Sequence, residues 1–318
     1  MARFIHMSDT HDETASKLHA VVQFAKEHSI DRIVHTGDLV EAKNVAAEIK
    51  QNLQHLPKPD QGLVAKLQNK TATEEEQKKY THLATAYQQA LLAPFAKRYQ
   101  TIDDIIKKNK MKFDAVLGNH DSVIAYDVMK TARFAENGDI QIGDIVMKGV
   151  WNSHEFPTAY KSLEDFLSSY LTPYALGQDA GDNKELQKAH EEYVQQLKGG
   201  KKPDLILMHK ELDDPDNGEK GIGTAAKKYL AENKGVPVLC GHFHDARIAN
   251  YKDHPFIRPG SHMFCVIDMD EKTKKINWID VYQFIEKGKV QKFKAYESER
   301  KVSMYTPDQD QYQERLAA

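Results

Sequence analysis

The sequence predicts an α/β protein built around a largely parallel sheet. Short apolar runs bounded by turn residues recur along the chain, and such runs are typical of buried strands. The five clearest are residues 4–7, 33–34, 115–117, 205–208 and 236–240. Segments with helical spacing adjoin several of these runs, at residues 15–27, 122–135 and 223–233. Strands that alternate with helices are the pattern of α/β folds with a parallel sheet.

The pattern changes near residue 257, after which strand-like segments occur without helices between them. Residues 276–285 and 290–296 flank a turn at residues 286–289. Strands joined by a short turn pair in antiparallel fashion. We therefore expect an antiparallel second sheet region in this part of the chain.

A chain of 318 residues, 40% of them hydrophobic, can bury one substantial core. We expect one domain at residues 1–296 that carries insertions, and a polar tail at residues 297–318 to which no role is assigned. With 44 basic and 47 acidic residues, the net charge of −3 indicates neither nucleic acid nor an anionic membrane as a partner.

Cysteine usage and hydropathy suggest where the protein resides. Cys240 and Cys265 lie within apolar runs, which favours buried, reduced thiols over a disulfide. No stretch approaches the roughly 20 apolar residues that a membrane-spanning helix needs. The first strand-like run begins at residue 3, without the apolar segment of a signal peptide. A cytoplasmic protein without membrane association is expected.

Two long segments interrupt the alternation, at about residues 42–112 and 155–202, and both are predicted to be helical insertions. In the first, an apolar stripe recurs every fourth residue at Leu83, Tyr87, Leu91, Phe95 and Tyr99. Pro94 is expected to kink or restart this helix. Packing on the core is the favoured interpretation of the stripe, and a lid over a functional site is the alternative. For the aromatic residues of the second insertion, helix packing is favoured over a substrate groove.

Side chains that bind metals follow each of the five apolar runs directly. In chain order they are Asp9 and His11, Asp38, Asn119 and His120, His209, and His242 and His244. Because ligands of α/β sheets bind at the carboxyl ends of the strands, these side chains are expected to converge on one crevice.

The negative charge of such a cluster must be neutralised, because neighbouring carboxylates repel one another and buried charges are costly. Bound cations supply the positive charge that neutralises it. Imidazole nitrogen mixed with carboxylate and amide oxygen suits Mn, Fe, Co, Ni or Zn better than Ca or Mg alone. No thiolate belongs to the set, so a purely structural zinc site is not expected. Gly37, Gly118 and Gly241 each precede one of these side chains, where glycine permits a sharp turn out of a strand.

Five fragments of this set resemble, in order and complete, the motifs of the calcineurin-like metallophosphoesterases. They are Asp9-Thr10-His11, Gly37-Asp38-Leu39-Val40-Glu41, Gly118-Asn119-His120-Asp121, His209 and Gly241-His242-Phe243-His244. One fragment alone would be weak, but all five together span residues 9–244 apart from the insertions. The resemblance implies a four-layer α/β/β/α sandwich and an enzyme that hydrolyses phosphate esters.

The resemblance also implies how two divalent cations would be held. One set of ligands is Asp9, His11, Asp38 and His244, and the other is Asp38, Asn119, His209 and His242, so that Asp38 bridges. Manganese is the expected metal, with Fe, Zn, Co or Ni as alternatives. Two cations about 4 Å apart lower the pKa of a bridging water, and the hydroxide is expected to attack phosphorus.

His120 is implied as the residue that contacts the phosphate and assists departure of the leaving alkoxide. Its imidazole needs an orienting partner. Glu41 stands where relatives carry an acidic residue that hydrogen-bonds this histidine, and it is assigned that role with Asp121 as the competitor.

Departures from the family pattern narrow the substrate class. Ala42 and Leu117 stand where protein serine/threonine phosphatases carry arginine, so a protein phosphatase is not predicted. Arg258 follows the last motif and either helps to hold a phosphate or completes a structural turn. Since no other arginine clamp for a dianionic monoester is apparent, a phosphodiesterase is preferred to a phosphomonoesterase.

Two other functions stay open. A metal-dependent nuclease acting on DNA or RNA would need a basic track, but the lysine-rich stretches at residues 78–79, 107–110 and 198–202 have acidic neighbours in several places. A non-catalytic scaffold that retains the fold is the other alternative, although every ligand position is filled here. The sequence specifies neither the natural substrate nor the oligomeric state.

Overall fold

A computed structural model describes residues 1–57, 66, 71–118, 120–122, 124–150, 200–209, 229–251, 254–285 and 289–297. Within these residues the strands are β1 (Ala2–Met7), β2 (Arg32–Thr36), β3 (Lys112–Val116), β4 (Ala132–Phe134), β5 (Ile140–Ile142), β6 (Ile145–Val150), β7 (Leu205–Met208), β8 (Val238–Leu239), β9 (Arg247–Tyr251), β10 (His254–Arg258), β11 (Met263–Met269), β12 (Ile276–Ile285) and β13 (Lys289–Glu297). The α-helices are α1 (Thr14–Glu27), α2 (Ala42–Gln54), α3 (Glu74–Asn109) and α4 (Ile124–Val128), and short 3-10 helices occupy His11–Glu13 and Ala135–Asn137.

The first sheet has the strand order β13-β12-β11-β1-β2-β3-β4. The strands β1 to β4 pair in parallel, whereas β11, β12 and β13 pair in antiparallel fashion. The antiparallel strands after residue 257 therefore form as expected. The expectation that they build a second sheet is wrong, because β11 pairs with β1 and extends the first sheet.

The second sheet has the strand order β5-β6-β7-β8-β10-β9. Its central strands β6, β7, β8 and β10 run parallel, and antiparallel strands close both edges. Parallel central strands need long connections between them, which agrees with the helical segments predicted along the chain.

The two sheets face each other across an apolar core. Alternate side chains of a strand point to opposite faces. In β1, Phe4 contributes to the core shared with β7, while Ile5 and Met7 pack against α1, α2 and α3 on the other face. A third cluster lies on the outer face of the second sheet and includes Tyr229 and Leu230. The predicted α/β class is confirmed, and the four-layer count remains a prediction.

Helix α1 illustrates how the helices attach to the first sheet. Its buried apolar residues Leu18, Val21, Val22 and Ala25 recur at the spacing of one helical face. All four belong to the core cluster that covers this side of the sheet. The helix begins three residues after His11, so it also fixes the loop that follows β1.

Helix α3 runs through Pro94 without interruption, so the helix does not restart there, and the kink remains a prediction. A proline lacks the N–H that would bond the carbonyl four residues earlier. Here Asn52 of α2 donates its side-chain amide to the carbonyl of Ala90 at 3.3 Å, so that the carbonyl keeps a partner. The helix continues because a neighbouring helix replaces the lost hydrogen bond.

The stripe of α3 packs on the core over its C-terminal half. Leu91, Phe95 and Tyr99 are buried in the cluster beneath the first sheet, whereas Leu83 and Tyr87 are half-buried. The packing interpretation of the stripe is therefore the one that the structure supports.

Several expectations fall outside the described residues. The second insertion does so except for residues 200–202, and so does the tail after residue 297. The domain boundaries stay predictions. Both cysteines are buried and free, as expected. None of the described helices has the length and apolar character needed to cross a membrane.

Candidate metal centre

The loops that follow the strands converge at one end of the two sheets. Backbone hydrogen bonds join them directly: the N–H of Asp9 donates to Gly37 at 3.0 Å and that of His11 donates to Asp38 at 2.9 Å. The N–H of Gly241 donates to the carbonyl of His209 at 2.9 Å. Loops from four different strands are thereby joined in two pairs, the loops after β1 and β2 and the loops after β7 and β8, before any side chain is considered.

Four ligand candidates adopt a left-handed backbone conformation, with φ of 51° at Asp9, 47° at His11, 57° at Asp38 and 72° at His242. This region costs a residue with a Cβ roughly 1–3 kcal/mol, and such strain is typical of functional sites. The backbone strain therefore falls on the residues whose side chains are candidate metal ligands.

Gly37 shows how closely the loops approach. Its φ is +93°, and a Cβ at this position would lie 2.6 Å from the N of Gly118 and 2.6 Å from Nδ1 of His209. No other residue fits between these two loops without moving them. The glycine before Asp38 therefore permits the second, third and fourth motifs to meet.

Asp38 lies between two histidines. Its Oδ2 is 3.4 Å from Nε2 of His209 and 4.0 Å from Nε2 of His11. Its Oδ1 accepts the N–H of His120 at 2.9 Å, which ties the second motif to the third. This position between two imidazoles is the one that a bridging carboxylate would need.

Two groups of ligand atoms adjoin Asp38. Asp9, His11 and His244 form one group and Asp9, Asp38 and His209 form another, each with ligand atoms within 4.8 Å of one another. Nε2 of His11 and Nε2 of His244 lie 3.1 Å apart, within hydrogen-bond distance of each other. Asn119 lies outside the described residues, and its place in the second ligand set stays a prediction.

His242 enters the site in two ways. Its backbone N–H donates to both carboxylate oxygens of Asp9, at 2.9 and 3.1 Å. Its ring centroid is 5.2 Å from that of His209, at an edge-on angle of 78°. The fifth motif thus orients the carboxylate of the first motif and places its own ring beside the fourth.

Among the two acidic residues that the sequence offered as partners of His120, the geometry favours Glu41. Nδ1 of His120 lies 3.0 Å from Oε1 of Glu41. The other oxygen of Glu41 is 3.5 Å from Nδ1 of His11. Glu41 therefore stands between a ligand candidate and the candidate acid.

Asp121 has a different position. Its carboxylate is buried and accepts the N–H of Leu39 at 3.0 Å and that of Gly118 at 2.9 Å. The hydroxyl of Tyr99 donates to the same carboxylate at 3.1 Å. These contacts make Asp121 a link between the second and third motifs, not a partner of the His120 ring.

Burial and charge act in opposite directions on the carboxylates. Burial, partly offset by His209, raises the pKa of Asp9 to about 7. Burial alone would also raise the pKa of Asp38, but the charges of His209 and His120 and their hydrogen bonds to the carboxylate together outweigh burial and lower that pKa. The His209 ring would lose basicity on burial, yet Asp38 raises its pKa to about 9. Two buried carboxylates against one cationic ring leave a deficit of positive charge that a divalent cation would fill.

Sequence reasoning did not single out the polar residues behind the ligands. The hydroxyl of Thr14 lies 2.6 Å from the carbonyl oxygen of His11 and 2.6 Å from that of Leu39. His35 accepts the N–H of Gly37 at Nδ1, so its Nε2 donates to the hydroxyl of Thr10 at 2.9 Å. Burial lowers the pKa of His35 to about 3, which keeps the ring neutral. Of these residues only Thr10 lies within a motif, so its position in the first motif was the one sequence signal that could have identified this group.

Arg258 completes a structural turn. Its side chain is buried, and it binds the backbone carbonyl and both carboxylate oxygens of Asp245 at 2.9 Å each. Its guanidinium also lies 4.9 Å over the ring of Phe243. These contacts brace the fifth motif from behind, as one of the two interpretations of Arg258 expected.

The family model described as calcineurin-like phosphoesterase matches residues 2–72 of the chain. This segment contains Asp9, His11, Asp38 and Glu41. Over these residues the chain is similar to the calcineurin-like phosphoesterases. The resemblance that the sequence motifs indicated is thus confirmed, and so is the expectation of a metal-dependent phosphoesterase. The matched segment carries the first two motifs, and the fold brings His120, His209, His242 and His244 to the same place.

Comparison with curated proteins gives no match for the phosphoesterase. Among solved structures, one is 11% identical with a TM-score of 0.51, over 89% of this chain and 99% of that chain. The protein TT1561 of Thermus thermophilus is 12% identical with a TM-score of 0.47, over 89% and 98%. A dimetal phosphatase from Danio rerio is 11% identical with a TM-score of 0.46, over 88% and 95%. At such identities a likeness concerns the fold alone.

Proposed function

We propose that this phosphoesterase hydrolyses phosphodiesters with two divalent cations, manganese first among them. The ligands would be Asp9, His11, Asp38, Asn119, His209, His242 and His244. The observation that carries the proposal is the position of Asp38 between the rings of His11 and His209, with the His120–Glu41 pair beside them. When bound, the cations would neutralise the phosphate and supply an activated water.

His120 would act as the general acid. With Nδ1 donating to Glu41, the protonated ring keeps an N–H at Nε2 that it can give to the leaving oxygen. The P–O bond to the leaving group breaks, the alkoxide takes this proton, and the neutral imidazole retains its bond to Glu41. Glu41 thus fixes both the tautomer and the direction of the ring.

The preference for diesters follows from Arg258. A phosphomonoester dianion gains most from a guanidinium that binds two of its oxygens. Arg258 is buried and already bound to Asp245, so it offers no clamp to a substrate. A diester carries one negative charge and needs less compensation.

The first test is hydrolysis of bis-p-nitrophenyl phosphate and p-nitrophenyl phosphate by metal-stripped protein resupplied with Mn²⁺. We expect Mn²⁺ to restore activity, with the diester preferred. Asp38→Asn and His120→Asn should each lower kcat by about 10²–10⁴-fold, the range of a lost catalytic group. His19→Asn serves as the matched control, because His19 lies exposed on α1.

A metal-loaded wild type that cleaves neither ester would contradict the proposal. Single-stranded DNA and RNA would then be tested as substrates for the nuclease alternative. Inactivity on these substrates as well would leave the scaffold alternative. A monoester preference would overturn only the substrate class. Cytoplasmic location remains an expectation that cell fractionation can test.

A further inference from the structure

Helix α3 of the first insertion carries a hydroxyl group to the rear of the metal centre. Tyr99 is fully buried, and its hydroxyl donates to Oδ1 of Asp121 at 3.1 Å. The hydroxyl oxygen of Tyr99 in turn accepts the N–H of Ser122 at 2.7 Å. Both partners follow His120 in the chain. The tyrosine therefore holds the end of the third motif from outside the motifs themselves.

Through Asp121 the effect of this hydroxyl reaches the second motif as well. Asp121 accepts the N–H of Leu39, the residue after Asp38, and the N–H of Gly118, which precedes Asn119. One carboxylate thus fastens two loops, and Tyr99 fastens that carboxylate. The hydrogen bonds run from the insertion through Asp121 to the residue beside the bridging ligand candidate.

A second contact joins α3 to the chain that follows the third motif. Asp103 lies one turn after Tyr99, on the same helical face. It is buried and accepts the N–H of Thr131 at 2.9 Å, beyond α4. The third motif and the short helix after it are therefore anchored to α3 at both ends.

We propose that Tyr99 is a positioning residue, which holds the loops of Asp38 and His120 in the geometry that the reaction requires. The first insertion then supports the site from beneath. The inference rests on the proposed function, since the residues positioned are those assigned to metal binding and proton transfer. Loss of the hydroxyl would leave the Ser122 N–H without its acceptor and take one donor from a buried carboxylate. The loops would relax, and a displacement of about 1 Å at reacting groups can cost up to about 10²-fold in rate.

The test compares Tyr99→Phe with Ile106→Val. The phenylalanine keeps the ring and removes only the hydroxyl. Ile106 is fully buried in the same helix and the same core cluster, but it touches neither motif through a hydrogen bond in the described chain. Both variants should unfold at a somewhat lower temperature. Activity is therefore measured well below both transitions, with kcat, KM and the Kd for Mn²⁺ determined for each protein.

We expect Tyr99→Phe to lower kcat by about tenfold and to weaken Mn²⁺ binding about fivefold, while Ile106→Val changes neither. Equal behaviour of the two variants in both kcat and Mn²⁺ affinity would overturn the inference. If the wild type cleaves no ester, the proposed function fails, and Mn²⁺ affinity alone decides the role of Tyr99. If Tyr99→Phe does not fold, Asp121→Asn is measured in its place and judged by the same criteria.

Discussion

At the scale of single residues, Glu136 is the most unusual acid outside the ligand set. Its Oε1 accepts the N–H of Leu117 at 2.5 Å, just before the third motif. Its Oε2 is buried and has no hydrogen-bond partner among the residues that the structure describes. Burial raises the pKa of Glu136 to about 8, so the side chain is largely protonated at neutral pH. The protein tolerates an acid here by keeping it uncharged.

Replacement by glutamine should therefore stabilise the protein at high pH. The ordinary pKa of 4.5 applies to the unfolded chain, and the folded value is higher. The destabilising effect is absent below the unfolded pKa and grows until pH passes the folded value. We expect Glu136→Gln to raise the free energy of unfolding by up to about 4 kcal/mol at pH 8 and by little at pH 4.5.

Urea unfolding of the metal-free protein at several pH values measures this difference. Glu27→Gln is the control, because Glu27 is exposed at the end of α1. A pH-independent difference between wild type and Glu136→Gln would contradict the prediction.

At the scale of elements, one carboxylate joins three parallel strands. Asp114 of β3 is fully buried and binds Arg32 of β2 on one side. On the other side it binds Arg133 of β4, with distances of 2.7 and 3.1 Å from Nε and Nη2. The Arg32 side chain is 7% exposed, whereas that of Arg133 is 47% exposed. The two arginines thus differ in how much they depend on Asp114.

Removing the carboxylate should cost far more than removing the exposed arginine. Asp114→Ala leaves Arg32 buried and unpaired, and such a change costs about 3–5 kcal/mol. Arg133→Ala breaks a half-exposed pair, for which less than about 1 kcal/mol is expected. Chemical denaturation of both variants gives the comparison, and similar losses in the two would refute it.

The elements also show where sequence reasoning reaches its limit. Strands β1, β2, β3 and β7 were predictable, because each is a short apolar run followed by a polar motif. The continuation of α3 through Pro94 was not, because the amide that satisfies the carbonyl of Ala90 comes from Asn52, 38 residues earlier. The pairing of β11 with β1 joins residues more than 250 positions apart, and no local pattern records such a choice.

At the scale of the whole molecule, folding brings together side chains that repel or exclude one another without a cation. Asp9 and Asp38 are both buried, and they face the imidazoles of His11, His209 and His244. A ligand that binds only the folded state shifts the folding equilibrium towards the folded state. The metal centre should therefore contribute to the stability of the entire fold.

Mn²⁺ at a hundred times its Kd should add about 2.7 kcal/mol to the free energy of unfolding. Thermal unfolding with Mn²⁺, and after its removal by a chelator, measures this gain. Asp38→Asn should lose most of it, whereas His19→Asn should retain it. An unfolding temperature that Mn²⁺ leaves unchanged would show that the site does not bind the ion under these conditions.

The sequence motifs located the candidate metal centre because each candidate ligand follows a strand, and parallel strands end at one edge. The motifs favoured Glu41 as the partner of His120 but left Asp121 open as the competitor. Asp121 adjoins His120 in the chain, yet its carboxylate faces Leu39 and Tyr99, while Glu41 reaches His120 from another loop. Within a tight turn, residues that are adjacent in sequence direct their side chains to different places, so adjacency in sequence does not predict contact.

The left-handed backbone at Asp9, His11, Asp38 and His242 has a consequence for kinetics. Backbone hydrogen bonds between the loops hold Asp9, His11 and Asp38 in place, and these bonds use none of the side-chain atoms that would bind an ion. Ion capture then requires little movement of the chain, so we expect the association rate to be governed by the release of water from the ion. Ions that exchange their water quickly would enter fastest. In a mixture of metals, the first ion bound would therefore be the one with the fastest water exchange, whatever its affinity.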